Sequence, residues 1–517
     1  MCAASSPTRL FHNGRIWTGT AKHAWADSVL IENGSVVTVD PPQAAVPAQC
    51  EFVDLHGGFL IPGLVDSHLH LTLGSAALSE LDLSKCATRA EFESRVASRH
   101  AELPRDAWLV AHSWNEADWN GAAPSLAWLA SSADRPTVAW RMDRHACVLN
   151  RAALALIDLP NSIDGGRIER DSHGAPTGLL QEAAAWRLVI PRIPPLSTSR
   201  AREALLRGAH SLRRQGVVAV GSMEYLRDLL NVHISVRAEL PIRVHATVLD
   251  RDWPIDAALE AAKGIPSCAR LRIIGMKAFI DGTLGSRTAA MLAPYSDDAE
   301  NAGILVELAQ GGHLHAWLEL VRRAGLSPSM HAIGDRAARL ALDAADAAAA
   351  AFTEQECATA PRFEHMQTMH EDDIPRMRGR FASMQPLHKA DDARGVLTRL
   401  GAARLNRFFP FRSLLRAGAT LAFGSDWPIV SSDPLLGMRA AITGIDLDGT
   451  AFETAQNVSV EEALWAYTRD ACRMLSLPGG LIAPGYAADF TLLDADPFAW
   501  NWHAGTPSVL ATFVDGV

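Results

Sequence analysis

The sequence predicts an α/β protein built on a (β/α)8 TIM-type barrel, with a lobe inserted after the first barrel strand and β-rich chain ends. Three observations carry that expectation. Eight short apolar runs alternate with amphipathic helical stretches, the pattern of parallel β/α units. Roughly 140 residues separate the first run from the second, too many for an ordinary loop. Residues 1–60 and 478–517 read instead as short strands and turns.

At the amino end, LFHNGRIWTG and SVLIENGSVVTVD each set Asn-Gly between β-prone runs, which predicts two hairpins. The barrel strands are expected in LIPGLVDSHLH, VVAVGSME, IRVHATV, LRIIGMKAFID, SPSMHAIGD, PRFEHMQ, RFASMQP and TLAFGSD. Between them, SRAREALLRGAHSLRRQG, GGHLHAWLELVRRAG and the alanine-rich run ending near residue 352 read as helices. The Trp-rich stretch at about 80–205 is expected to form the lobe, within a barrel spanning 61–477. GYAADFTLLDADP and SVLATFVDGV then return to strands.

Composition narrows the function classes. With 517 residues, 48% hydrophobic and 21% charged, the chain can bury a large core and form more than one domain. A net charge of −10 argues against nucleic acid or an anionic membrane surface as partner. Seven scattered cysteines without a C-x-x-C pair fit reduced thiols in a cytoplasm. No secretory leader or membrane-length apolar stretch is read. A small-molecule substrate is expected, and self-association is left open.

The chemistry gathers where the strands end. Residues two apart on a strand share a side, so His68 and His70 leave the first strand together. Lys277 lies in the fourth run, His331 ends the fifth, His365 the sixth, and Asp426 the eighth. Functional groups of such barrels collect at the C-terminal strand ends. Imidazole nitrogen and carboxylate oxygen suit zinc or a similar divalent ion. A lysine becomes useful beside cations if its neutral amine takes up carbon dioxide, since the carbamate's two oxygens can bridge a metal pair. Asp426 could then ligate a metal and accept a proton from the attacking hydroxide.

The stretches PGLVDSHLHL, WNEADW, RMDRHACVLNRAAL, KAFIDGTLGSRTAAM, HAIGDRA, RFEHMQ, MQPLHKADD, LAFGSDWPI and GLIAPGYAADFTLLDADPF resemble the amidohydrolase superfamily. The resemblance is to its YtcJ-like, amidohydrolase-3 branch, which includes N-substituted formamide deformylase. It implies a distorted barrel with a composite β-sandwich from both chain ends, and hydrolysis of a C–N bond by metal-bound hydroxide. It also implies that His68, His70 and Asp426 bind one metal, that His331 and His365 bind a second, and that carboxylated Lys277 bridges them. Two zinc ions are expected over one, because Lys277 is present and His331 is followed by Ala-Ile-Gly-Asp rather than by a proton-shuttling Glu.

Around the metals, Arg287 beside Asp281 and Ser286 is a candidate for holding a carboxylate or carbonyl, against pairing with a nearby acid. Gln385 and His388 are candidates for contacting substrate. Asp335 is read as a helix cap. From the lobe, Trp114, Trp119, Trp140 and His145 could roof the mouth, against simple packing. The expected reaction is cleavage of an amide or N-formyl amide. A lactone, ester or carbamate at the same site, and a non-catalytic regulatory scaffold, stay open.

Overall fold

The computed structural model of the protein describes residues 7–104, 106–119, 121, 123–249, 252–351 and 359–517. Eight strands form one parallel sheet: β1 (Leu64–Leu69), β2 (Val217–Tyr225), β3 (Arg243–Leu249), β4 (Leu271–Phe279), β5 (Ser327–Ala332), β6 (Arg362–His365), β7 (Phe381–Met384) and β8 (Thr420–Phe423). Each expected run overlaps one of them. Residues 60–62 of the first run belong to another sheet, and the chain changes sheets at Gly63. β1, β3, β5 and β6 are buried along their whole length, as strands covered on both faces must be.

The barrel is distorted and nearly closed. No ladder joins β8 to β1. Individual bonds close that edge instead: Asp426 N–H donates to the His68 carbonyl at 2.6 Å, and His70 N–H to the Trp427 carbonyl at 2.9 Å. The buried Asp66 carboxylate accepts from the Ser425 amide at 3.0 Å and the His68 amide at 3.1 Å. Gly424 makes the approach possible, because a Cβ there would lie 2.5 Å from His68 N.

Both chain ends build one sandwich. A five-stranded sheet sets Phe490–Leu493 between Phe59–Pro62 and Val509–Phe513, and a four-stranded sheet carries Arg9–His12 between Val29–Glu32 and Glu51–Asp54. The Phe11 ring lies edge-on to Phe490 (5.4 Å) and Phe513 (5.0 Å), so the amino end is packed on the carboxyl end. Of the two expected hairpins, only the second forms. Val29–Glu32 pairs with Ser35–Val39 through Asn33 and Gly34, both at positive φ as a type I′ turn requires. At the first, Asn13 has positive φ and Gly14 does not. Arg9–His12 and Arg15–Trp17 therefore enter different sheets.

Between β1 and β2, a six-stranded mixed sheet runs from Leu81–Asp82 to Pro176–Glu182, with the helix Arg89–Glu102 against it. The helix Asp335–Ala351 buries Ala337, Ala338, Ala341, Leu342, Ala345 and Ala348, a small-residue face. Phe352 lies outside the described residues. Cys50, Cys86, Cys147, Cys268 and Cys472 are free thiols, and Cys2 and Cys357 lie outside the described residues. No helix among the described residues is long and apolar enough to cross a membrane.

Candidate metal centre

His68 of β1 and His70 just past its end converge on one carboxylate. Nε2 of His68 is 3.5 Å and Nε2 of His70 is 3.3 Å from the same Asp426 Oδ1. His68 has no exposed side-chain surface, and His70 keeps 18%. At the end of β6 and just after β8, His365 (φ 72°) and Asp426 (φ 58°) adopt left-handed backbone, which residues with a Cβ rarely take. Strain of this kind gathers where a side chain must be aimed. The His365 ring lies 4.9 Å from that of His68 and 4.4 Å from that of His331.

Each imidazole has one nitrogen tied to an acceptor. Nδ1 of His68 meets Glu364 Oε2 at 2.7 Å, Nδ1 of His70 the Met223 carbonyl at 3.1 Å, and Nδ1 of His365 the amide oxygen of Gln385 at 2.8 Å. For His331 it is Nε2 that meets the Gly282 carbonyl, at 3.1 Å. These oxygens can only accept, so the bonded nitrogens carry the hydrogens. Nε2 of His68, His70 and His365 and Nδ1 of His331 are left with lone pairs, the state in which imidazole binds metal.

The electrostatics agree. Burial, reinforced by the Lys277 charge, lowers the His68 pKa to about 4 and that of His331 well below its usual value. Burial and the neighbouring His331 do the same to His365. For Asp426, burial would raise the pKa, but the imidazoles led by His68 override it and hold the carboxyl below the usual range. Its Oδ1 is buried without a hydrogen-bond partner. Ligand atoms of His68, His365 and Asp426 all lie within 4.8 Å of one another. Neutral imidazoles around an orphaned carboxylate oxygen fit a divalent cation. Lys277 is 1% exposed, with Nζ 3.3 Å from His68 Nε2, beside that lone pair.

A cleft of about 60 Å³ opens over these groups, lined by His331, His365, His388 and Asp426 from the barrel and by Arg141 and His145 from the lobe. His145 stacks on His331 with centroids 5.6 Å apart, and its Nδ1 is held by the buried Glu182 at 2.7 Å. Nε2 of His388 is buried without a partner, 3.8 Å from Asp426 Oδ2. Both residues line the cleft.

Other substrate-side expectations are corrected. Arg287 does not line the cleft. It forms an ion pair with Asp297 at 2.6 Å, so the nearby acid takes its guanidinium. Gln385 is fully buried and orients His365 instead of contacting substrate. Trp114 is buried in the lobe core, with its indole N–H on the Ala139 carbonyl at 2.8 Å. Trp119 packs against Phe92 and Trp128, and Trp140 lies in a second lobe cluster. Asp335 opens its helix, but its carboxylate takes the Leu292 amide at 2.7 Å. Asp281 binds the amides of Ile333, Gly334 and Ala290, clamping the loop after His331. Ser286 and Thr283 donate to Asp143, fastening the lobe to the loop after β4.

Sequence reasoning missed Glu364, which bonds His68 while its other oxygen takes Arg362 at 3.0 Å and the Ser329 hydroxyl at 2.6 Å. A carboxylate next to His365 in the strand was the available signal. It also missed Asp66 and the lobe's Arg141, gripped by Glu116 (3.0 Å) and Asp143 (2.6 Å).

Comparison with known proteins places this arrangement. The profile of the amidohydrolase family matches residues 51–517. The chain is 32% identical to Protein LONG AFTER FAR-RED 3 of Arabidopsis thaliana, over 98% of this chain and 90% of that one. It is 31% identical to the putative amidohydrolase YtcJ of Bacillus subtilis (strain 168), over 95% of each. An uncharacterized metal-dependent hydrolase from Pyrococcus horikoshii superposes with a TM-score of 0.77 at 27% identity, over 96% of this chain and 99% of that chain. A nearly closed parallel barrel, histidines and an aspartate at its strand ends, and a profile match over most of its length make this chain a member of the amidohydrolase family.

Proposed function

We propose that the chain hydrolyses the carbon–nitrogen bond of a compact amide or N-formyl amide. His68, His70 and Asp426 would hold one divalent ion, His331 and His365 a second, and Lys277 as its carbamate would contribute to both. The observation that carries this reading is the Asp426 oxygen, buried and unpartnered between two imidazoles whose other nitrogens are tied down. Imidazole and carboxylate donors favour zinc. When bound, such ions bring a coordinated water's pKa near neutrality and polarise the carbonyl.

The protein's own groups then account for the choice of bond. An amide nitrogen leaves poorly unless it is protonated, so the site needs a group that takes a proton from water and delivers it to nitrogen. Asp426, ionised and facing the cleft, is that carrier. His388 takes the Gln367 amide on Nδ1 at 3.4 Å, which leaves an Nε2–H to donate to the substrate carbonyl. His145, held through Nδ1, supplies the lobe wall of the cleft. The small volume and the lobe bonds to the β4 loop favour a compact acyl group over a polymer. The cysteines and charge balance support a cytoplasmic site of action.

The test is turnover by zinc-loaded protein of N-formyl, N-acetyl and cyclic amides beside matched esters and lactones. Amide cleavage is expected. Cleavage of esters and lactones alone would replace this reading with an esterase or lactonase using the same residues.

A further inference from the structure

We propose that Arg399 anchors a carboxylate of the substrate, so that the preferred compounds carry an acidic group at the end away from the scissile bond. The inference rests on the C–N hydrolase reading for which bond is cut, but not for the anion site itself.

Arg399 ends the helix Pro386–Leu400, which begins at the mouth beside His388, and it lines the same cleft as the candidate metal ligands. The neighbouring arginines are all satisfied. Arg141 lies between Glu116 and Asp143, Arg394 bridges Asp118 (2.8 Å) and Asp448 (2.6 Å), and Arg287 holds Asp297. Arg399 differs. Its side chain is 11% exposed and its Nε is buried without a partner. Its nearest acid is Glu116 Oε1 at 3.9 Å, an oxygen already bonded to Arg141 at 3.0 Å. A guanidinium whose buried Nε has no acceptor, and whose attractive charges are the shared Glu116 and the partly neutralised Asp392, is under-satisfied unless a ligand supplies an acceptor.

The helix is shaped for this side chain. A Cβ at Gly395 would lie 2.1 Å from Arg399 Nη1, so the glycine leaves a notch for the guanidinium one turn back. Glycine is a poor helix residue, and the notch gives it a purpose. A fixed planar fork at the wall of a cleft suits two-point binding of a carboxylate. Asp391 and Asp392 share that wall. Burial and then the Asp392 charge raise Asp391 to about 7, and burial raises Asp392 against the pull of His388 and Arg399, so they oppose a bound anion less than two full charges would.

The probe is glutarate against its uncharged diamide, by calorimetry on the full chain, with Arg399→Gln and Gly395→Ala alongside. Glutarate should bind the unmodified protein at least about tenfold more tightly than the diamide, and Arg399→Gln should abolish the difference. Gly395→Ala favours the helix but displaces the guanidinium, so it should weaken glutarate without lowering thermal stability. Equal binding of the two compounds, or an advantage that survives both substitutions, overturns the anchor. Glutarate binding that depends on Arg399, with no amide cleaved, would keep the anchor and remove the C–N reading. Amide cleavage with the same kcat/KM for acidic and neutral substrates, in both the unmodified protein and Arg399→Gln, would remove the anchor alone.

Discussion

Nδ1 of His68 lies 2.7 Å from Glu364 Oε2, and neither side chain is exposed. The pair spans the barrel from β1 to β6, and Arg362 and Ser329 hold the second Glu364 oxygen. The carboxylate thereby fixes which His68 nitrogen carries hydrogen and presents the other to the centre. Burial alone would raise the Glu364 pKa, but the Arg362 charge and then the His68 ring beside it keep it well below the usual range.

Glu364→Gln preserves shape and removes the charge. It should weaken metal binding by about 10- to 100-fold with little change in fold. Competition with a chelating dye reads the affinity directly. Undiminished affinity would assign Glu364 to neutralising Arg362 and nothing more.

Lys277→Ala should lower metal occupancy, measured by elemental analysis after dialysis. A short carboxylic acid should restore part of it by standing in for the carbamate. Normal loading with two metals in the variant would dispose of the bridging role.

Trp114→Phe should leave kcat and KM unchanged and cost about 1–3 kcal/mol in stability, through lost volume and a lost indole bond to Ala139. Urea titration and steady-state rates separate the two effects. A change in substrate preference at constant stability would return Trp114 to the mouth.

Acid should destabilise the fold partly through His245. This β3 residue is 2% exposed, and its Nδ1 donates to the Leu475 carbonyl at 2.7 Å. Burial dominates and lowers its pKa to about 4, against about 6.5 when unfolded. The unfolded chain therefore binds the proton first as pH falls. The neutral histidine's contribution is complete above about pH 6.5 and is lost as pH drops toward 4, by at most about 3 kcal/mol. His245→Asn should flatten the stability profile over that window, and an unchanged slope in urea unfolding would exonerate this residue.

The barrel was legible because parallel strands buried on both faces stay apolar along their length, and because His68 and His70 mark the period of a strand. The second hairpin was legible for a local reason, since Asn33 and Gly34 both accept positive φ. The same dipeptide at residues 13–14 misled, because sheet choice there depends on segments far along the chain, Phe59–Pro62 for one strand and Glu51–Asp54 for the other. The site divides the same way. Residue types suited to binding metal stand at or near strand ends in plain order. Their supports do not: Glu364 lies 296 residues from the histidine it holds. Nor can a sequence show which arginine is left over once the acids are shared out. Arg287 has Asp297 at 2.6 Å, whereas Arg399 has Glu116 at 3.9 Å, through an oxygen that Arg141 already holds.

Asp426 is proposed to move the proton in amide hydrolysis. Initial rates of the unmodified protein and Asp426→Asn on one N-formyl amide, with bound metal quantified in each sample, test it most directly. If Asp426 carries the proton, the variant loses at least about a hundredfold in rate per bound metal, exceeding any loss of metal. Equal turnover per bound metal would contradict it, and would leave Asp426 as a ligand without a role in the chemistry.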